Sequence, residues 1–302
     1  MQRIVEAVTA WMSDRANNAI SPGSIEPAFE TPLFGVASGA DPLFDWLKGD
    51  IGADFYWTPL DAWKEAFPDD AAQASELSVI AWVLPQTSRT RAAHRKASGL
   101  PAIEWSMARH YGEMVNENLR RFVVALLGQR GVDALAPALL PGWSRAASPK
   151  YGFASRWSER HTAHVCGLGT FGLSDGLITA AGKAVRVGSV VARMALAPTP
   201  RPYSAHNEWC LQFAGTPCTG CIKRCPAGAI TEHGHDKEKC RTYIRGTTAP
   251  FVEREQLGFP VNSCGLCQTG VPCEAKAPVM EKTRKPESGR QGQRYDKPEV
   301  GR

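Results

Sequence analysis

The chain runs to 302 residues, 43% of them apolar and 22% charged, with nine cysteines and a formal net charge of +5. That length can hold two domains of ordinary globular composition. No apolar run approaches the ~18–20 residues of a membrane span, and the opening Met1-Gln2-Arg3-Ile4-Val5-Glu6 carries neither an apolar signal core nor a twin-arginine pair, so a cytoplasmic protein with no membrane partner is expected.

The charge is unevenly spread. Residues 282–302 hold seven basic and three acidic side chains, which leaves the rest of the chain almost neutral. With so few apolar residues this basic tail is expected to be disordered. A solvated tail without a role is the plainer reading, and contact with RNA or an acidic electron donor the sharper one.

In chain order, residues 1–20 read as an amphipathic helix with Ile4, Val5, Val8 and Trp11 at helical spacing. A proline-punctuated loop follows, then the short apolar Phe34-Gly35-Val36-Ala37 and a helix opened by Asp41-Pro42. Ser78 to Leu84 is the best strand of the first half, closed by Pro85. From about Pro101 to Arg130 the pattern is helical, with Met107, Tyr111, Met114, Leu119 and Phe122 compatible with one buried face. Residues 157–166 are expected to be helical. Leu177-Ile178-Thr179 and Val185 to Val191 look like strands paired with each other. Strands mixed with long helices give an α+β or α/β first domain.

Gly167-Leu168-Gly169-Thr170-Phe171-Gly172 matches G-x-G-x-x-G, but a dinucleotide fingerprint needs a strand before it and a helix after it. Here a helical segment precedes and a strand-like one follows, so a tight turn needing positive φ is the better reading.

Eight of the nine cysteines fall between Cys210 and Cys273. They read Cys210, Cys218-x2-Cys221-x3-Cys225-Pro226, Cys240 and Cys264-x2-Cys267-x5-Cys273. Disulfides suit short secreted chains and are disfavoured by the length and the odd count. Structural zinc also takes four thiolates from paired Cys-x2-Cys units and stays a rival. The Cys-Pro turn followed by Ala229-Ile230 resembles instead the two-cluster bacterial ferredoxins, with their C-x2-C-x2-C-x3-C-P run. That resemblance implies two [4Fe–4S] clusters. Following the ferredoxin crossover, the first would take Cys210, Cys218, Cys221 and Cys273, and the second Cys225, Cys240, Cys264 and Cys267. Gly215 stands where the first cysteine of the run should fall, and Cys210 is its substitute. The ninth, Cys166, reads as a small buried residue.

The order of His164-Val165-Cys166-Gly167-Leu168-Gly169-Thr170-Phe171-Gly172-Leu173-Ser174, Leu177-Ile178-Thr179, Arg186-Val187-Gly188-Ser189-Val190-Val191 and then the cysteine block resembles epoxyqueuosine reductases and, more distantly, reductive dehalogenases. The resemblance implies an α+β protein in three parts: a cobalamin-reductase-like α/β domain at 1–200, a two-[4Fe–4S] ferredoxin-like domain at 201–281, and the tail at 282–302. It implies an enzyme, with electrons passing from a low-potential donor of ferredoxin or flavodoxin type through the clusters to a cofactor, cobalamin, and substrate. Gly167, Gly169, Gly172, Ser174, Gly188 and Ser189 become its candidate cofactor contacts, and Tyr151, with Lys150 and Arg156 nearby, a candidate general acid. His161 and His164 share a helix face and are possible donors to cofactor or substrate. The chain also departs from the family. The catalytic Asp position before Glu159-Arg160 falls at Phe153, the usual Gly-Trp-Ile-Gly-Lys turn is Gly169-Thr170-Phe171-Gly172-Leu173, and no C-terminal helical-repeat domain is expected. tRNA is therefore a doubtful substrate. The competing function is a non-catalytic two-cluster electron carrier without cobalamin.

Overall fold

The computed structural model describes residues 1–279, so the basic tail at 282–302 lies outside the described residues. The first part of the chain forms α1 (Gln2–Ser13), β1 (Leu33–Ser38), α2 (Pro42–Ile51), α3 (Pro59–Ala66), β2 (Leu77–Pro85), α4 (Ser88–Lys96), α5 (Ile103–Gly128), β3 (Ala134–Leu135), β4 (Arg145–Ser148), β5 (Gly152–Ser155), α6 (Glu159–Val165), β6 (Gly169–Phe171), β7 (Leu177–Thr179) and β8 (Val185–Arg193). The cysteine-rich part adds α7 (Gly220–Arg224), β9 (Ile230–Thr231), β10 (Gly234–His235), α8 (Lys237–Tyr243) and α9 (Ala249–Val252).

Four strands make the central sheet in the order β1-β2-β8-β3, and every neighbouring pair is antiparallel. All nine residues of β2 are buried, because both faces are covered. Val79, Ala81 and Val83 face α2, α3 and α6 in one core. Ile80, Trp82 and Leu84 face α1 and α5 in the other. A strand that is apolar on both faces from Val79 to Pro85 is what a sheet between two helical layers needs. The mixed α and β content is as expected. The antiparallel pairing makes the sheet α+β in character rather than a parallel β-α-β array.

Three expectations change in detail. The first helix stops at Ser13 rather than running to 20. Asn18, 5% exposed, ends that stretch by donating to the carbonyls of Met12 and Phe29 and accepting from the Phe29 N–H. Second, β7 pairs with β6 and not with β8. The apolar β8 is drawn instead between β2 and β3, where Val190, Val191 and Ala192 are fully buried. Third, the buried face of α5 is not the one its large apolar residues suggest. Met114 is half exposed, while Asn116 and Arg120 are inside. Asn116 accepts from the Trp82 indole at 2.9 Å and donates to the Val187 carbonyl at 3.0 Å.

The cysteine-rich part is tied to the first through backbone carbonyls. Arg224 on α7 donates to Leu266 and Thr269 in its own part and to His94 and Ala97 at the end of α4. Beside it, the Lys183 N–H bonds the Cys273 carbonyl at 2.8 Å. Glu274 takes two hydrogen bonds from Arg95, at 2.7 and 3.1 Å. Gly182 has φ +84, and a side chain there would meet the Glu274 backbone at 2.2 Å, so only glycine fits this junction.

Candidate functional site

Cys210, Cys218, Cys221 and Cys273 line one small cavity, together with Gly172, Leu173 and Lys183. Local structure delivers each thiol. Cys221 rides on α7, and the loop after Cys210 folds back so that the Ala214 N–H bonds the Cys210 carbonyl at 2.8 Å. The Cys218 N–H is held by the Gln212 side chain at 3.1 Å. The other four thiols, Cys225, Cys240, Cys264 and Cys267, lie within electrostatic reach of one another. Past Cys225 the chain turns through Gly228 at φ +57, which brings the Ala229 N–H to 3.3 Å from the Cys225 sulfur. Ile230 of β9 then packs under the first set against Cys221 and Leu173. Gly265 at φ +68 lies against the Trp105 indole, which fixes the turn that carries Cys264.

Cys221, Cys240 and Cys264 are held protonated by their surroundings. Burial pushes Cys221 and Cys264 up to about 11 and Cys240 up to about 12, and neighbouring sulfurs add to the rise. So many buried thiols can ionise together only if a cation shares the space. Among the described residues no three His, Cys, Asp or Glu side chains converge closely enough to hold a single metal ion.

A second, larger cavity of about 540 Å³ shares Lys183 with the thiol-lined one. Its walls come from α5 (Arg109, Glu113, Glu117, Arg120), the stretch from Ala138 to Arg145, the start of α6 (Glu159, Arg160), the entry to β8 (Lys183 to Val187) and Gln268 of the cysteine-rich part. Lys183 lines both cavities, and Gln268 follows Cys267 directly. The floor is an ion-pair network in which Arg120, 4% exposed, contacts Glu113 at 3.3 Å and Glu159 at 3.0 Å. Burial raises the Glu159 pKa and Arg120 opposes that rise. Ser189 donates to Glu159 and accepts from the Trp157 indole at 3.0 Å.

The structure distributes the other sequence-nominated residues as follows. None of Gly167, Gly169, Gly172, Ser174, Gly188 and Ser189 lines the large cavity. Gly167 has the positive φ of a tight turn, at +81. Gly169 is pressed against the Ile178 carbonyl across the β6–β7 hairpin, and Gly188 against Trp82 and Asn116. Ser174 accepts from Lys183 at 2.9 Å. These residues are packed against protein, only Gly172 borders a cavity and that is the small thiol-lined one, so as a set they do not fit a corrinoid in the large cavity. Tyr151 stands at the tip of the β4–β5 hairpin, away from the cavity, and donates to Asp50 at 2.6 Å. His161 and His164 are engaged within the protein: His161 meets the Ser158 hydroxyl and His164 the Gly169 carbonyl, each at 2.7 Å. Burial depresses them to about 3 and about 4, so both are neutral. Cys166 is fully buried in the sheet core. Glu159 pairs with Arg120, whereas Arg160 donates to the Asp175 carbonyl.

Sequence reasoning missed the cavity's basic wall. The available signal was in α5, where Asn116 and Arg120 recur on the face that Val115, Leu119 and Val123 bury.

No family profile matches the chain. Among curated proteins it is 30% identical to an epoxyqueuosine reductase of Francisella cf. novicida over 126 residues, which is 40% of this chain and 33% of that one. An epoxyqueuosine reductase of Bacillus cereus is 29% identical over 119 residues, 38% of this chain and 29% of that one. The matched stretch is thus about a third of the length of these relatives. Among solved structures, epoxyqueuosine reductase from Bacillus subtilis aligns at 16% identity and a TM-score of 0.45, covering 82% of this chain and 62% of that one. A catabolic reductive dehalogenase aligns at 15% identity and a TM-score of 0.47, covering 83% and 31%. Over the residues that align in sequence, the chain is similar to the epoxyqueuosine reductases, with divergence elsewhere.

Proposed function

We propose that the chain is an iron–sulfur reductase. In this reading Cys210, Cys218, Cys221 and Cys273 hold one [4Fe–4S] cluster, Cys225, Cys240, Cys264 and Cys267 hold a second, and the charged cavity is where substrate is reduced. The observation that carries the reading is the shared wall: Lys183 borders both the first thiol set and the cavity. Four thiols spread around a void suit a cubane better than zinc, which draws its sulfurs to ~2.3 Å from one ion. Bound clusters supply single electrons at low potential. The chain's own residues do the rest. The Arg120–Glu113–Glu159 network keeps the floor rigid, Trp143 and Trp157 form apolar wall, and Lys183 places a positive charge between thiols and cavity. A low-potential donor of ferredoxin or flavodoxin type, in the cytoplasm, fits such a protein.

The sequence likeness also suggests cobalamin. The residues nominated for it face protein rather than the cavity, and no step is assigned to it. A tRNA substrate is not adopted either, since Phe153 stands where the family's catalytic Asp is expected. A carrier without chemistry has no use for a 540 Å³ cavity that shares Lys183 with its thiol pocket, which favours the enzyme.

The test is metal and corrinoid analysis of protein made without oxygen in cells supplied with cobalamin. About eight iron atoms per chain, with electron-paramagnetic signals of reduced cubanes, is the expected result. Zinc in place of iron overturns the reading. Corrinoid at the same molar level as protein would restore cobalamin through residues other than the six above.

A further inference from the structure

The large cavity is lined by six basic side chains, Arg109, Arg120, Arg145, Arg160, Lys183 and Arg186, against three glutamates. The glutamates do not balance them. Glu113 alone is shared by Arg120 at 3.3 Å, Arg186 at 3.6 Å and Arg109 at 3.7 Å. Glu159 is taken by Arg120 and Ser189, and Glu117 pairs with Arg121 on the outer face of α5. Arg145 and Arg160 form no ion pair among the described residues. Arg145 stacks over Phe153 at 5.4 Å, and Arg160 gives one hydrogen bond to the Asp175 carbonyl. The Asp175 carboxylate attracts Arg160 only from further off and is itself held by His235 at 3.1 Å.

Arg160 is open to solvent in the cavity yet ringed by protein. Burial presses the pKa of Arg160 down, and burial together with the nearby Arg109 and Arg120 presses that of Arg186 down to about 9. Guanidinium stays charged in proteins, so such a wall is relieved by a bound anion rather than by losing protons. The remaining wall is apolar and partly flat: Leu139, Trp143, Trp157, Leu177, Val185 and Val187. Arg160 also lies within electrostatic reach of Cys267 of the second thiol set.

We propose that the cavity binds a small organic anion, a carboxylate or phosphate ester on a flat apolar body, with Arg160 and Arg145 holding the anionic group and the tryptophan wall the body. This substrate class rests on the cavity being the reductase's substrate site, but the binding itself needs no cluster.

The experiment is calorimetric titration of the anaerobically purified, iron-bearing protein with benzoate, phenyl phosphate and neutral benzamide, with iron assayed in parallel. Benzoate and phenyl phosphate should bind, with benzamide at least about tenfold weaker. Arg160→Gln and, at the rim, Arg145→Gln should each weaken both anions about tenfold or more and leave benzamide unchanged. Arg130→Gln, exposed and outside the cavity, should bind like the parent. The two anions' relative affinities separate a carboxylate from a phosphate ligand. The proposal is overturned if neither anion binds at millimolar concentration, if benzamide binds as well as they do, or if the folded Arg160 and Arg145 variants both keep parental affinity. It is equally overturned if an RNA stem–loop alone binds in an Arg160-dependent way. Anion binding in a protein that proves to hold zinc would keep this proposal and sink the iron–sulfur reading. Iron without anion binding would do the reverse.

Discussion

Replacing Arg120 with methionine should unbalance the cavity floor. The guanidinium is 4% exposed and contacts Glu159 at 3.0 Å, Glu113 at 3.3 Å and the Val187 carbonyl at 3.3 Å. Methionine keeps much of the volume but leaves Glu159 buried beside Ser189 without its counter-charge. Stranding one member of a buried pair costs about 3–5 kcal/mol. At roughly 2–4 °C per kcal/mol, the melting temperature should fall on the order of 10 °C near pH 8. The loss should depend on pH. Burial already raises the Glu159 pKa, with Arg120 opposing, so Arg120→Met raises it further. A carboxyl whose folded pKa exceeds its unfolded value of ~4.3 penalises the fold most above the folded pKa, and the penalty fades as pH falls toward the unfolded value. Urea unfolding of parent and variant from pH 8 to pH 5 reads this directly: the gap between them should narrow on acidification. Adding Glu159→Gln should recover most of the loss at pH 8. A gap below about 1 kcal/mol, a gap flat with pH, or a double variant no better than the single one would refute the reasoning.

Cys218→Ser and Cys264→Ser should each cost about four of eight iron atoms, and equal losses of all iron from both would argue against two independent sets. Gly182→Ala should destabilise by upwards of about 2 kcal/mol in thermal melts, since φ +84 and the Glu274 backbone at 2.2 Å both oppose a methyl group. His164 is held neutral down to about 4 by burial. An unfolded imidazole takes up a proton near 6.5, so this group removes stability as pH falls from 6.5 toward 4, by ~1.4 kcal/mol per pH unit. His164→Gln should flatten that part of a stability-against-pH curve measured in urea, and an unchanged slope would show that the ring is not buried neutral.

The strands were legible wherever burial on both faces wrote them as unbroken apolar runs. Ser78 to Leu84 needed no partner to be recognised, since few other structures accept Trp82 between Ala81 and Val83. Pairing was not legible in the same way. Leu177–Thr179 and Val185–Arg193 are neighbours in sequence, but the register that buries Val190 and Val191 lies with β2. The glycine signature was ambiguous for a related reason. Close backbone approach is visible in sequence, but not whether the approaching atom belongs to a ligand or, as at Gly169 and Gly188, to the protein itself. Among the thiols, spacing ties only Cys218, Cys221 and Cys225, and Cys264 with Cys267; Cys210, Cys240 and Cys273 have no tight local partner and were grouped through the resemblance to two-cluster ferredoxins. The basic cavity was hidden because its lining comes from six separated segments and each of its basic residues alone reads as an ordinary surface charge.

The position of β8 has a consequence for synthesis. Its partner β2 is complete at Pro85, yet β8 ends only at Arg193. At ~5–20 residues per second, translation leaves the inner edge of an all-apolar strand unpaired for roughly 5–20 s. During that interval the nascent chain offers β2 to any other strand edge nearby, so newly made protein is most exposed to misassembly before its cysteine-rich part has left the ribosome. Slower translation upstream of residue 193 should therefore lower the soluble yield more than the same slowing downstream.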